Sequence, residues 1–384
     1  MKRLLLLLTA TGLFASGAQA QTTNAATFHP VNPPEMQPLA SHDSPAYQTA
    51  RRFQHGVNLG DYLEAGNNWG VKVSATEFAA MAREGFDHVR VPVAWHRYAG
   101  PAPDFTLSPE IFARVDFAVT NILANKMAAM INIHHFNELD QDPVAATAEF
   151  LALWRQIAAH YRDYPASLVF ELDNEPHDKA TTALMNPIYA RAIAEIRPTN
   201  PQRTLVVEPG GWGGIDELNQ LVLPPDNNVM VSVHCYDPFH FTHQGAGWVG
   251  EDNQQTNIVF PGPPAQPLVP DADRHPGPGE LDWIHKYNTL PANQNPSSPL
   301  AFAGKLQYIH AWSDYYGRPV HLGEFGAYLK ADAVSRQNFY EAFRRTAEKE
   351  HIGWCIWDWS ANFRYWDQAG ARALPGMHTA LFGN

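Results

Sequence analysis

From His55 onward the chain alternates short apolar runs with longer stretches in which apolar residues recur at three- and four-residue spacing. The runs "HGVNLG" at 55, "HVRVPV" at 88, "AAMINIHH" at 128 and "LVFELDNEP" at 168 predict four strands. "TLVVEPG" at 204, "VMVSVHCYDP" at 229, "PVHLGEFG" at 319 and "IGWCIWDW" at 352 predict four more. Between them lie amphipathic helices, among them "ATEFAAMAREG", "EIFARVDFAVTNILANK", "EFLALWRQIAAHYRDY", "NPIYARAIAEIR" and "SRQNFYEAFRRTAEKE". Strict β/α alternation implies parallel strands with right-handed crossovers, and eight such units close into a (β/α)8 TIM barrel. A doubly wound open sheet shares this rhythm, but no glycine-rich phosphate-binding turn follows the first strand.

The rhythm is interrupted at three places. Residues 1–20, "MKRLLLLLTATGLFASGAQA", join a basic start, an apolar run and a small-residue cleavage site, the pattern of a secretory signal peptide. The expected location is therefore secreted or periplasmic. Residues 21–50 are rich in Ala, Pro, Ser and Thr and predict a linker or extended arm ahead of a barrel over 51–384. Residues from about 250 to 300, around "FPGPPAQPLVPDADRHPGPGE", are too proline-rich for regular structure. They predict a long insertion after the sixth strand, on the face where barrels carry their active-site loops.

Composition narrows the function classes. A net charge of −12 argues against nucleic acid, whose phosphates require a basic face. No apolar stretch beyond the leader suits a membrane span. Eleven Trp and fourteen Tyr are many for this length; most are expected in the core, and exposed rings make stacking platforms for flat ligands. Two cysteines exclude a disulfide scaffold. Strand alternation turns Cys235 toward the helices and Cys355 inward, on non-adjacent strands, which predicts two free thiols.

The candidate chemistry lies where the strands run out. Arg90 is on the second strand, His134 and His135 end the third, and Asn174 and Glu175 end the fourth. His234 and Tyr236 are on the sixth, Glu324 on the seventh and Trp357 on the eighth. In a barrel these ends converge on one face. The stretch "LVFELDNEPH" puts Glu171, Asp173 and Glu175 into an otherwise apolar strand, which is costly unless the carboxylates are paired or functional. Two glutamates on the fourth and seventh strands, facing across the mouth, suit glycoside hydrolysis, in which one carboxyl protonates the leaving oxygen and the other meets an oxocarbenium-like centre. Arg90 and Tyr236 beside Glu324 would keep it ionised, as a nucleophile requires, and an apolar setting for Glu175 would suit a general acid.

On these motifs the sequence resembles glycoside hydrolase family 5, the cellulase family. "GVNLGDYLEAG", "HVRVPVAW", "INIHHFNEL", "NEPH", "GGWGG", "HCYDPFHFTHQGAGW" and "LGEFGAY" occur in the family's order, from about Gly56 to Asp367. The likeness is strongest to bacterial endo-β-1,4-glucanases, some of which also cleave mannan. It implies Glu175 as acid/base and Glu324 as nucleophile in a retaining double displacement, with carboxyl groups roughly 5–5.5 Å apart. Arg90, His134, His135, Asn174, His234, Tyr236 and Trp357 are implied around the cleavage point, Asn174 on the sugar 2-hydroxyl and Trp357 under the ring. Asp61, Glu64, Trp212 and Trp248 are implied further along the cleft. Three departures stand out: Asp61 where the branch usually has Asn, Asp173 in place of an apolar residue, where its charge would raise Glu175 by repulsion, and the proline-rich insertion.

Other readings predict different residues. A metal-dependent barrel hydrolase would open its first strand with His-x-His, which is absent, so neither metal nor cofactor is expected. A non-catalytic carbohydrate-binding barrel should have lost one of the two glutamates. A β-mannanase or xyloglucanase would differ only in the outer cleft. The expected partner is a β-linked polysaccharide bound by a monomer.

Overall fold

The structure is a computed structural model that describes residues 36, 38–39, 42–65, 70–250, 255–270 and 276–383. The expected signal peptide lies outside these residues. Eight parallel strands close into a barrel in sequence order: β1 (His55–Asn58), β2 (His88–Val91), β3 (Ala128–Asn132), β4 (Leu168–Glu171), β5 (Leu205–Val207), β6 (Val229–His234), β7 (Val320–Phe325) and β8 (Trp354–Ile356). β8 pairs back onto β1 through His55 and Trp354. Nearly every strand residue is buried, because helices cover the outer face and side chains fill the inner one.

Local chemistry starts and stops the helices. Ala75–Glu84 opens with a capping box between Ser74 and Glu77 and ends at Gly85, whose φ of 111° suits glycine. Pro143–His160 begins with proline, and the Asp142 carboxylate accepts from the Ala145 N–H at 3.0 Å. Ala333–Lys349 is capped by Asp332 in the same way. Their apolar faces pack on the barrel in one continuous core.

Part of the expected arm is helical. Pro45–Ala50 forms a short helix capped by Ser44, and Ala46 and Phe53 pack with Ala128, Met130, Val169, Val206 and Met230 to form the barrel floor. The barrel needs this apolar closure at its N-terminal end, a requirement that a composition-based reading of the arm does not register.

The insertion is also more ordered than its prolines suggest, with a helix at Pro278–Thr289. Its irregular part is held by side chains that replace ladder bonds. Gln244 accepts from the Ile258 N–H and donates to the Ile258 carbonyl, at 3.0 and 2.9 Å. The Tyr287 hydroxyl accepts from the Val259 N–H at 2.8 Å. Ile258 and Phe260 are buried in the main core.

Above the apolar floor the barrel interior turns polar: Asn58, Arg90, Asn132, Glu171 and Ser232 have no exposed surface. The register between β6 and β7 shifts next to His234, and that between β7 and β8 shifts between Leu322 and Phe325, around Glu324. Such irregularities re-aim side chains at barrel rims.

Candidate active site

Arg90 organises the mouth of the barrel. Its guanidinium donates to Glu171 Oε2 at 2.6 Å, to Asn58 Oδ1 at 2.9 Å, to Glu324 Oε1 at 2.7 Å and to Asn174 Oδ1 at 2.7 Å. A planar fork with several N–H groups is the side chain that can serve so many acceptors from one buried point. The Tyr236 hydroxyl donates to the other Glu324 oxygen at 2.7 Å. Glu324 is therefore held from β2 and β6 at once. Burial, with Glu175 beside it, pushes its carboxyl above the ordinary range despite the opposing pull of His234, Arg90 and the Tyr236 hydrogen bond. The expectation from sequence counted only the downward effects.

Glu175 stands opposite. β4 ends at Glu171 and the backbone at Glu175 turns to a φ of 50°. That turn breaks strand alternation, so the adjacent Asn174 and Glu175 both reach the mouth. Glu175 Oε1 lies 2.8 Å from His234 Nδ1. One carboxylate oxygen of Glu175, one of Glu324 and a ring nitrogen of His234 all lie within 4.8 Å of one another. Glu175 is not in the apolar setting expected from sequence: its neighbours are His234 and, at its own backbone N–H, Glu208.

Among the described residues, Glu175, His234 and Glu324 also form the group whose donor atoms could gather round a cation. Each is already engaged, Glu175 with His234 and both Glu324 oxygens with Arg90 and Tyr236. An ion there would have to displace these bonds.

The remaining predicted residues divide by position. Trp357 is half-buried and stacks nearly parallel with His134, at 9° and 5.8 Å. Burial pushes the His134 imidazole well down, which favours the neutral ring. Gly60 allows Trp357 its place, since a Cβ there would meet the indole at 3.0 Å. His135, at a φ of 55°, is exposed and packs edge-on against His134 at 4.4 Å between ring centres. Trp212 is 54% and Trp248 57% exposed, so both offer open faces. Trp212 lies flat on His177 at 3.5 Å, and Trp248 meets Tyr328 edge-on at 5.0 Å. Asp61 is partly buried, and burial pushes its carboxyl up to about 6.

Glu64 departs from its expected role in the cleft. Its carboxylate is fully buried and accepts from the backbone N–H groups of Asp61 and Tyr62. It supports the loop that presents Asp61, and its own oxygens do not face the cleft. Asp173 lies in the interior behind the mouth. It is buried with Oδ2 unpartnered, and burial, then Asp140 and Glu208, push its carboxyl well up.

Residues 51–363 match the family model for cellulase, glycosyl hydrolase family 5. The chain belongs to that family. Among curated relatives, it is 24% identical over 328 residues to endoglucanase H of Acetivibrio thermocellus, covering 85% of this chain and 31% of that protein. It is 28% identical over 341 residues to the cellulase/esterase CelE of the same organism, covering 82% of this chain and 36% of that protein. It thus spans about a third of the length of these relatives. Among solved structures, Thermotoga maritima Cel5A in complex with cellobiose superposes with a TM-score of 0.75 at 31% identity, covering 88% of this chain and all of that one.

Within this family 5 barrel, sequence reading missed the buried carboxylate nearest Glu175's backbone, and two buried asparagines. Glu208, just past β5, is fully buried and accepts from the Glu175 N–H at 2.7 Å and from the Ser232 hydroxyl at 2.8 Å. Its Oε1 also lies 2.9 Å from His234 Nε2, an ion-pair contact that is not in line for a hydrogen bond. The signal was in the sequence: Glu208 closes an apolar run, as Glu175 does. Asn58 and Asn132 have no such signal, because a buried asparagine within a strand is visible only through the partners it meets.

Proposed function

We propose that this family 5 protein is an endo-β-1,4-glucanase that works by retaining double displacement. Glu324 attacks the anomeric carbon while Glu175 protonates the leaving oxygen. Glu175 then takes a proton from the water that releases the glycosyl group from Glu324. The observation that carries this reading is the close approach of the two carboxylates, with oxygens within 4.8 Å. Inverting enzymes separate the two groups by about 6.5–9.5 Å to admit a water.

The surroundings suit the proposed roles. Arg90 fixes Asn174 Oδ1, which leaves the amide nitrogen as the end that donates to a sugar hydroxyl. Trp357 supplies a ring face at the cleavage point, and Trp212 and Trp248 supply two more along the cleft. Among the described residues no helix is long and apolar enough to cross a membrane. With the N-terminal leader pattern, this suits export to a polymeric substrate.

A second substrate reading rests on one observation. Thermotoga maritima Cel5A, similar to this chain at 31% identity, has also been solved with a mannotriose substrate. The test is sugar release by the purified protein on carboxymethylcellulose, barley β-glucan, xyloglucan, glucomannan and mannan, beside Glu324→Gln. We expect activity on the glucans that falls to background in the variant, with first-formed products of retained β-configuration by proton NMR. A higher rate on mannan would make the protein a mannanase, and inverted products would overturn the mechanism.

A further inference from the structure

Glu208 is a buried carboxylate of the mouth with no role in the proposed reaction. Its two oxygens serve different ends. Oε2 accepts from the backbone N–H of Glu175, the residue at a φ of 50°, which is left-handed and unfavourable for a side chain of this size. Oε1 accepts from Ser232 and faces His234 Nε2. On the other side of the same ring, Nδ1 meets Glu175 Oε1. The imidazole is thus held between two carboxylates, one proposed to be catalytic and one not.

We propose that Glu208 is a positioning residue that acts through His234 to set the pH at which Glu175 holds its proton. This rests on the reading of Glu175 as the acid/base. With Glu208 ionised behind it, His234 carries a proton on each nitrogen, and Nδ1–H is donated to Glu175 Oε1. That leaves Glu175 Oε2 as the oxygen that carries and gives up the catalytic proton.

The charges around the ring support this arrangement. Arg90 from β2 and His134 from β3 oppose a protonated imidazole, as does His321 lower on β7. Glu208 past β5, Glu324 on β7 and Glu175 past β4 favour it, at 2.9, 3.7 and 2.8 Å from ring nitrogens. Tyr236 just past β6 and Ser232 on it donate to Glu324 and Glu208, and Glu171 is spent on Arg90. Burial works against the charged ring, but Glu208 and Glu324 outweigh it and hold the imidazole well above its ordinary value. Burial likewise opposes the charge on Glu208, and His234 with Arg90 holds that carboxyl low.

The sign of the effect follows from distance. Neutralising Glu208 removes the group that holds the ring charged, so His234 and Glu208 change from a cation–anion pair to two neutral groups of the same net charge. The member that touches the Glu175 carboxyl is the ring, so what Glu175 loses is chiefly a cation. Its proton is then retained to higher pH.

The experiment is the pH profile of kcat/KM, which reports free-enzyme groups. Wild type, Glu208→Gln and Glu208→Asp are compared on β-glucan oligosaccharides, with Glu175→Ala assayed on both an oligosaccharide and a dinitrophenyl glycoside. We expect the alkaline limb of Glu208→Gln to move up by about one unit, the size of ordinary pKa perturbations, and Glu208→Asp to restore part of the wild-type position. An unmoved or lowered limb overturns the proposal. Should Glu208→Gln fail to fold, nitrogen-15 shifts of His234 in the wild-type protein decide: both nitrogens protonated at pH 7 supports it, and a neutral ring overturns it. Glu175→Ala losing both substrates equally would instead overturn the acid/base reading on which it rests.

Discussion

Arg90 shows how a single side chain converts buried charge into geometry. It sits with no exposed surface against Glu171 and Glu324, and such a cation is tolerated only because its guanidinium makes four hydrogen bonds and has Glu208 at 3.7 Å as a further carboxylate. Arg90→Met should cost about 3–5 kcal/mol, the penalty of leaving two buried carboxylates uncompensated, read as a lower urea midpoint. Glu175→Ala should lose about 10²–10⁴-fold on polymeric glucan yet keep most of its rate on dinitrophenyl glycosides, whose leaving group needs no proton. Glu64 predicts a different pH dependence. Burial, against its backbone hydrogen bonds, pushes its carboxyl up from 4.5 to about 8. A carboxyl raised on folding stabilises while protonated, so its contribution is complete below pH 4.5 and is lost as pH rises through 8. Glu64→Gln should flatten the decline in Tm over that window, as thermal denaturation at a series of pH values would reveal.

At the scale of elements, the strands deliver carboxylates and the loops aim them. Period-2 reasoning works while the chain is a strand: His234 and Tyr236 share a face and both reach the site, and Cys355 points inward, where it meets Asn58 at 3.3 Å. It fails where the strand stops. Asn174 and Glu175 are neighbours that both reach the mouth because Glu175 turns left-handed. Trp212 also has a positive φ, of 65°, and offers its open face from a turn between Gly211 and Gly213. Trp212→Ala should raise KM on cellohexaose a few-fold, about 1 kcal/mol of lost stacking, with kcat little changed. An equal loss in kcat would mean that the ring positions the reacting sugar.

The whole molecule is a barrel with an apolar floor and a charged mouth, and its two ends make opposite demands. The floor depends on residues ahead of β1: Phe53 packs on His88 at 4.6 Å between ring centres and closes the interior with Ala46. Phe53→Ala should cost about 3–5 kcal/mol in equilibrium unfolding while leaving KM unchanged, since the floor and the mouth are at opposite ends. The insertion after β6 likewise belongs to the body, for Ile258 and Phe260 are core residues and Ser335 accepts from the Phe260 N–H at 3.0 Å. Proline content argued for an irregular excursion. Packing against Phe339 and Phe302 made it a wall.

The sequence by itself determined the architecture and singled out Glu175 and Glu324, because both are written in short-range periodicity. Alternating runs specify a closed parallel barrel, and an acidic residue closing an apolar run conflicts too plainly with the cost of burying charge to be accidental. What only the tertiary structure decided is who meets whom. It placed Glu208 behind His234, gave Glu64 to its own loop and buried Asp173 where its surroundings raise its carboxyl. These outcomes depend on distances of a few ångströms between residues tens of positions apart, and at that range burial and partner geometry outweigh anything a side chain carries on its own.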